Sequence, residues 1–194
     1  HQVAALAKQF QLDPSTQTII GTVARLSEAK GLTYLLQAFA RVAKDKPNLR
    51  LVIAGVGDLE QQLKQQAGDL GIANRTIFTG YVNNIAQLID LFNFFVLPSL
   101  QEACSLACAE AMSQQKAVIG TTIGGIVEQV ADRETGFLIP PQDVDSLTEK
   151  LQYFLDRPEL VDEFARNGRQ RYEEHFALDC MLIQTENLYA KLLN

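Results

Sequence analysis

The run Phe92-Asn93-Phe94-Phe95-Val96-Leu97, stopped by Pro98-Ser99, constrains this chain most, together with the segment that follows it. An apolar, aromatic-rich run that ends on a turn signal predicts a buried strand. From Ala103 the residues are small or apolar: Ala103, Cys104, Leu106, Ala107, Cys108, Ala109, Ala111 and Met112. A helix apolar on every side belongs in a core. Glu110 contradicts that placement, because a carboxylate in such surroundings is costly unless something pairs or bonds with it. Glu102 lies just before the helix, and Glu110 about two turns in, its Cα–Cβ bond tilted back toward the N-terminal end. Both can address one ligand in front of the helix, where the dipole and free N–H groups favour an anion. The bland alternative has Glu102 solvated in a loop and Glu110 paired with a core Arg or Lys.

The remaining sequence alternates short apolar runs with helical stretches. Strands are expected at 16–23, 49–54, 76–79, 116–120 and 136–139, besides 92–97. Helices are expected at 32–44, 59–70, 85–90 with Asn84 as N-cap, 126–130, 145–156 capped by Asp143 or Asp145, 158–173 and 177–193. Residues 1–15 read as the tail of a helix or interdomain linker, and the start at His1 reads as a fragment or processed product. This alternation predicts βαβ units: one α/β domain with a mostly parallel sheet of about six strands and helices on both faces. Ligands of such sheets bind beyond the C-terminal strand ends. The loops after the first, second, fourth and fifth strands are therefore the places to look.

Charge and composition remove several classes. The 194 residues carry a formal charge of −6, so no overall basic field draws the chain to nucleic acid. No apolar run approaches a bilayer span, so no transmembrane segment is expected, and no signal peptide opens the sequence. Three cysteines, an odd count, fit a reducing cytoplasm better than a disulfide framework. Cys104 and Cys108 stand four apart, but the only histidines, His1 and His175, are remote. Small-residue packing explains that pair better than a metal.

Three loops carry candidate binding chemistry. Arg25 and Lys30 follow the first strand, and a guanidinium fork plus an ammonium make a diphosphate clamp; an ordinary solvated loop is the alternative. Gly55-Val56-Gly57 lacks the third glycine of a dinucleotide fingerprint, Glu60 standing there, so the two glycines more simply permit a turn and a close backbone approach. Gly124-Gly125 is a candidate anion nest or a plain tight turn. No Walker-type, H-E-x-x-H or G-x-S-x-G string occurs.

Taken in order, these pieces resemble the family 4 glycosyltransferases. The matching residues are Gly21 to Leu26 with Lys30-Gly31, Ala54 to Gly57, and Phe78-Thr79-Gly80-Tyr81. Then come Pro98-Ser99 with Glu102 and Glu110, Gly124-Gly125-Ile126 with Glu128, and Thr135 to Leu138. The resemblance implies the C-terminal, Rossmann-like half of a GT-B fold, spanning 1–194, with the acceptor-binding N-terminal domain absent and 177–193 as a C-terminal helix. By the same resemblance, Arg25 and Lys30 hold the diphosphate of a UDP-, GDP- or ADP-sugar donor. Glu102 takes sugar hydroxyls, Glu110 the ribose, Gly80 and Tyr81 lie against the base, and amides of Cys104, Ser105 and Leu106 meet the distal phosphate and sugar. The family transfers sugar with retention and without metal or other cofactor. A lipid acceptor would place the enzyme at the cytoplasmic membrane face.

Three departures stand out. Ala103-Cys104-Ser105 replaces the usual glycine-aromatic-glycine, Gln114-Gln115-Lys116-Ala117 replaces Cys-Gly-Lys-Pro, and Val127 replaces Pro. The cleft histidine normally supplied by the N-terminal half has no match. The isolated chain is therefore expected to transfer nothing. A non-catalytic nucleotide-sugar-binding or docking module, and a related GT-B epimerase, are the rival readings.

Overall fold

The computed structural model describes residues 2–193. Helix α1 (Gln2–Gln9) leads into β1 (Thr18–Val23), α2 (Leu32–Ala43), β2 (Leu49–Ala54), α3 (Glu60–Asp69), β3 (Thr76–Gly80) and α4 (Ile85–Asp90). The second half runs β4 (Phe94–Leu97), α5 (Leu106–Ser113), β5 (Val118–Thr121), α6 (Ile126–Gln129) and β6 (Gly136–Ile139). It closes with α7 (Val144–Leu155), α8 (Pro158–His175) and α9 (Leu178–Leu192). The six strands form one sheet in the order β3-β2-β1-β4-β5-β6, every pair parallel. Chain order reverses between β1 and β4, which opens a crevice at their C-terminal ends.

The strands are apolar at successive positions because both faces are covered. Ile20, Leu51, Ile53, Phe94, Val96 and Ile119 face a core shared with α2, α3, α7 and α8. Their neighbours Ile19, Val52, Phe95, Leu97 and Val118 face one shared with α1, α4, α5 and α6. In the first core, Phe154 meets Phe94 at 5.2 Å and Phe137 at 5.1 Å between ring centroids. On β1, a Cβ at Gly21 would fall 2.0 Å from the Phe92 ring, so a side chain there would displace that ring.

Several expected boundaries move. The helix expected from Ala103 begins at Leu106, with Ser105 as its N-cap accepting the Cys108 N–H. It is not apolar on every side toward a core: Cys108, Ala111 and Met112 are buried, whereas Leu106 is 76% exposed. Its first turn stands beyond the C-terminal end of β4, with Leu106 exposed and Cys108 buried, and Gln129 of α6 donates to the Ser105 carbonyl at its start. Strand β4 starts at Phe94; Asn93 before it instead stitches to β1, exchanging bonds with the Ile19 N–H and carbonyl. Asn84 precedes α4 but its side chain accepts no cap bond, whereas Asp143 caps α7 through Ser146 N–H. Helix α9 forms where expected but buries no residue.

Candidate functional site

Three strand ends and residues of two helices, Ile85 of α4 and Glu110 of α5, line the main cavity, of about 650 Å³. Its remaining walls come from the loops after β1, β2 and β3. The first two loops are zipped together: Ala24 N–H donates to Ala54, Leu26 N–H to Val56, and Gly55 N–H to the Gly80 carbonyl. This zipping requires glycine. A Cβ at Gly55 would lie 2.0 Å from the Ala24 carbonyl oxygen, and one at Gly57 2.3 Å from that of Leu26. Gly55-Val56-Gly57 thus serves a close backbone approach.

Arg25 is exposed on this wall; its carbonyl accepts the Ser27 N–H, but its guanidinium has no ion-pair or hydrogen-bond partner among the described residues. Glu110 faces the same cavity half-buried, and burial holds its carboxyl above the usual carboxylate range. No Arg or Lys pairs with it among the described residues, so a core ion pair is not what offsets its burial. One wall therefore offers a free guanidinium and an unpaired carboxyl, complementary to an anion and to hydroxyl donors respectively.

Lys30 and Glu102 make a second cluster at the β1–β4 switch. The Leu100 and Gln101 amides both donate to Ala29, and Gly31 (φ 61°) packs where a Cβ would sit 2.0 Å from the Pro98 carbonyl oxygen. That docking sets Lys30 Nζ 2.6 Å from Glu102 Oε2, which Ser99 Oγ also approaches at 3.2 Å. Beneath this loop, Gly125 N–H donates to the Ala103 carbonyl, and a Cβ at Gly124 would fall 1.6 Å from the backbone carbonyl oxygen of Glu102. The Gly125 amide is therefore spent on the loop, which the glycine pair seats.

The structure thus brings Arg25, Gly55, Gly57, Tyr81 and Glu110 into one wall. Lys30 and Glu102 pair with each other and are not among the cavity's lining residues, and Gly80 (φ 66°) turns the chain into its third side. Cys104 is exposed and Ser105 buried in the loop that leads to Leu106. Cys108 is buried, its thiol pushed up to about 12 by that burial, which leaves it inert. No cluster of three His, Cys, Asp or Glu able to hold a metal occurs among the described residues. Sequence reasoning missed Val82, Asn83 and Ile85, which line the cavity after β3. The polar Asn83-Asn84 pair just beyond the Gly80 turn was the available signal.

Residues 5–171 match the family described as Glycosyl transferases group 1. An alpha-D-kanosaminyltransferase of Streptomyces kanamyceticus is 26% identical over 97% of this chain and 49% of its own length. The C-terminal domain of a group 1 glycosyl transferase (LpcC) from Francisella tularensis superposes with a TM-score of 0.79 at 25% identity, over 88% of this chain and 92% of that one. Anabaena HepE, in complex with UDP-glucose, gives a TM-score of 0.87 at 24% identity, over 97% and 52%. The chain spans about half the length of the curated relatives it matches. Its parallel sheet, its strand-end cavity and the match over most of its length place this chain in the glycosyl transferases group 1 family, as a domain of the C-terminal GT-B type.

Proposed function

We propose that this chain is the donor-binding domain of a family 4 retaining glycosyltransferase, taking a nucleoside diphosphate sugar in the cavity at the β1–β3 ends. The observation that carries the reading is the pairing, on one cavity wall, of the exposed, unpartnered guanidinium of Arg25 with a half-buried unpaired Glu110. HepE's complex with UDP-glucose supports a nucleotide sugar as the ligand class.

In this reading Glu110 accepts from the ribose hydroxyls, and Arg25 forks onto the diphosphate. Gly80 and Tyr81 border the base, while Gly55 and Gly57 let the backbone come close. Lys30 spends one of its three N–H donors on Glu102, leaving two for phosphate. Glu102 takes the sugar hydroxyls, with Cys104, Ser105 and Leu106 backbone nearby and Gly124-Gly125 seating that loop. As the bond from sugar to phosphate breaks, negative charge grows on the leaving diphosphate. Arg25, Lys30 and the N-terminus of α5 stabilise it, which is preorganised electrostatics without a metal ion. An N-terminal domain of the same enzyme supplies the acceptor site, so the isolated chain binds donor and transfers nothing. The proposed setting is the cytoplasm, at the membrane face if the acceptor is a lipid; no helix among the described residues is long and apolar enough to cross a membrane.

Thermal unfolding with millimolar UDP, GDP, ADP and their sugar conjugates tests this. A ligand specific to the folded state adds about 2.7 kcal/mol at a hundredfold excess over Kd. One base should stabilise the chain, and Arg25→Ala should remove the effect. Stabilisation by none, or an unchanged shift in Arg25→Ala, would refute the reading.

A further inference from the structure

Glu102 presents its two carboxylate oxygens unequally. Oε2 accepts from both Lys30 Nζ (2.6 Å) and Ser99 Oγ (3.2 Å). Oε1 accepts from nothing among the described residues, although the side chain is only 9% exposed. A terminal carboxylate torsion is broad and nearly two-fold, so one donor alone would leave the plane free to swing. Two donors on one oxygen, from different loops, fix both the plane and the oxygen that faces outward.

Ser99 is the rigid member of that pair. It is fully buried, and its carbonyl accepts the hydroxyl of Thr121, the last residue of β5 and itself buried. Lys30 ends a flexible stem, and its ammonium is the group an arriving diphosphate would attract. Should Lys30 turn toward phosphate, Ser99 alone keeps Oε2 occupied. The free Oε1 is an acceptor without a proton to give, so it suits a hydroxyl donor and repels phosphate. That makes the Glu102 end the sugar end and the Arg25 end the phosphate end.

We infer that Ser99 is a positioning residue, which locks Glu102 so that Oε1 alone is offered to one hydroxyl of the donor sugar. The inference rests on the donor-binding reading above.

Calorimetric titration of this chain with UDP, GDP and ADP, against their glucose conjugates and GDP-mannose, tests it. The quantity read is the extra affinity that the sugar confers over the diphosphate alone. Ser99→Ala should cut that increment by about tenfold, the worth of a hydrogen bond to a charged group, while diphosphate affinity stays within about twofold. In a Glu102→Ala background Ser99→Ala should have no further effect on the increment. Ser99→Cys keeps the volume with a weaker donor and should fall between, which guards against an Ala variant that fails to fold. An intact increment in Ser99→Ala, an equal loss for diphosphate and conjugate, or a loss that persists without Glu102 would overturn the inference. A wild-type chain that binds no nucleotide at all would instead remove the donor-binding reading, and this inference with it.

Discussion

Glu110 is the residue on which the functional reading turns. Burial raises its carboxyl, so the folded chain holds that proton more tightly than the unfolded chain does. Its contribution favours the fold below the ordinary glutamate pKa and is lost as pH rises through the elevated one. Glu110→Gln should therefore unfold at a higher temperature than wild type at about pH 7 and lose that advantage near pH 4, the ordinary glutamate range. The same variant should bind nucleoside diphosphate more weakly, a split that thermal scans with and without ligand will read. A Glu110→Gln variant that is less stable at neutral pH would mean the carboxylate is satisfied in the fold after all. This residue was legible in the sequence because a carboxylate among Ala, Cys and Met demands a partner. Ser99 was not: after a Pro it reads only as a stop, and its bond to Glu102 depends on how the loop folds back. Asn83 was overlooked although it stands in a polar pair just past the Gly80 turn, because such a pair reads first as an N-cap signal.

At the level of elements, the site depends on loops packed backbone to backbone. Gly55→Ala would put a methyl 2.0 Å from a carbonyl oxygen at φ 135°, where no rotamer change can relieve it. It should cost at least about 3 kcal/mol in urea unfolding. Gly80→Ala meets no atom within 4 Å and should cost only about 1 kcal/mol of backbone strain. Equal costs would contradict the packing described for the two loops. Phe154→Ala, which removes the ring between Phe94 and Phe137, should cost about 3–5 kcal/mol without altering nucleotide selectivity. The strands were readable because a sheet covered on both faces leaves continuous apolar runs such as Leu51-Val52-Ile53-Ala54. The start of α5 was less so. Its small apolar residues look alike from Ala103 onward, and only the Ser105 hydroxyl on Cys108 N–H sets the boundary.

At the level of the whole molecule, the reversal of strand order between β1 and β4 gathers residues far apart in sequence at one edge. The alternation of strands and helices predicted the parallel sheet; the strand order β3-β2-β1-β4-β5-β6 came only with the structure. Helix α9 shows the limit of pattern reading. Its position was expected, yet Leu182, Ile183 and Tyr189 remain exposed, because among the described residues only α8 packs against it substantially. The central claim, that the cavity at the β1–β3 ends takes the nucleoside diphosphate of a sugar donor, is tested most directly by amide chemical shifts. Isotope-labelled chain would be titrated with UDP, GDP and ADP in turn. The account predicts that the nucleotide that binds perturbs Arg25, Gly55, Gly57, Tyr81, Asn83 and the first turn of α5 above all others. Perturbations centred elsewhere, for example on the cleft between Phe137 and Phe164, would contradict it, as would no response to any of the three.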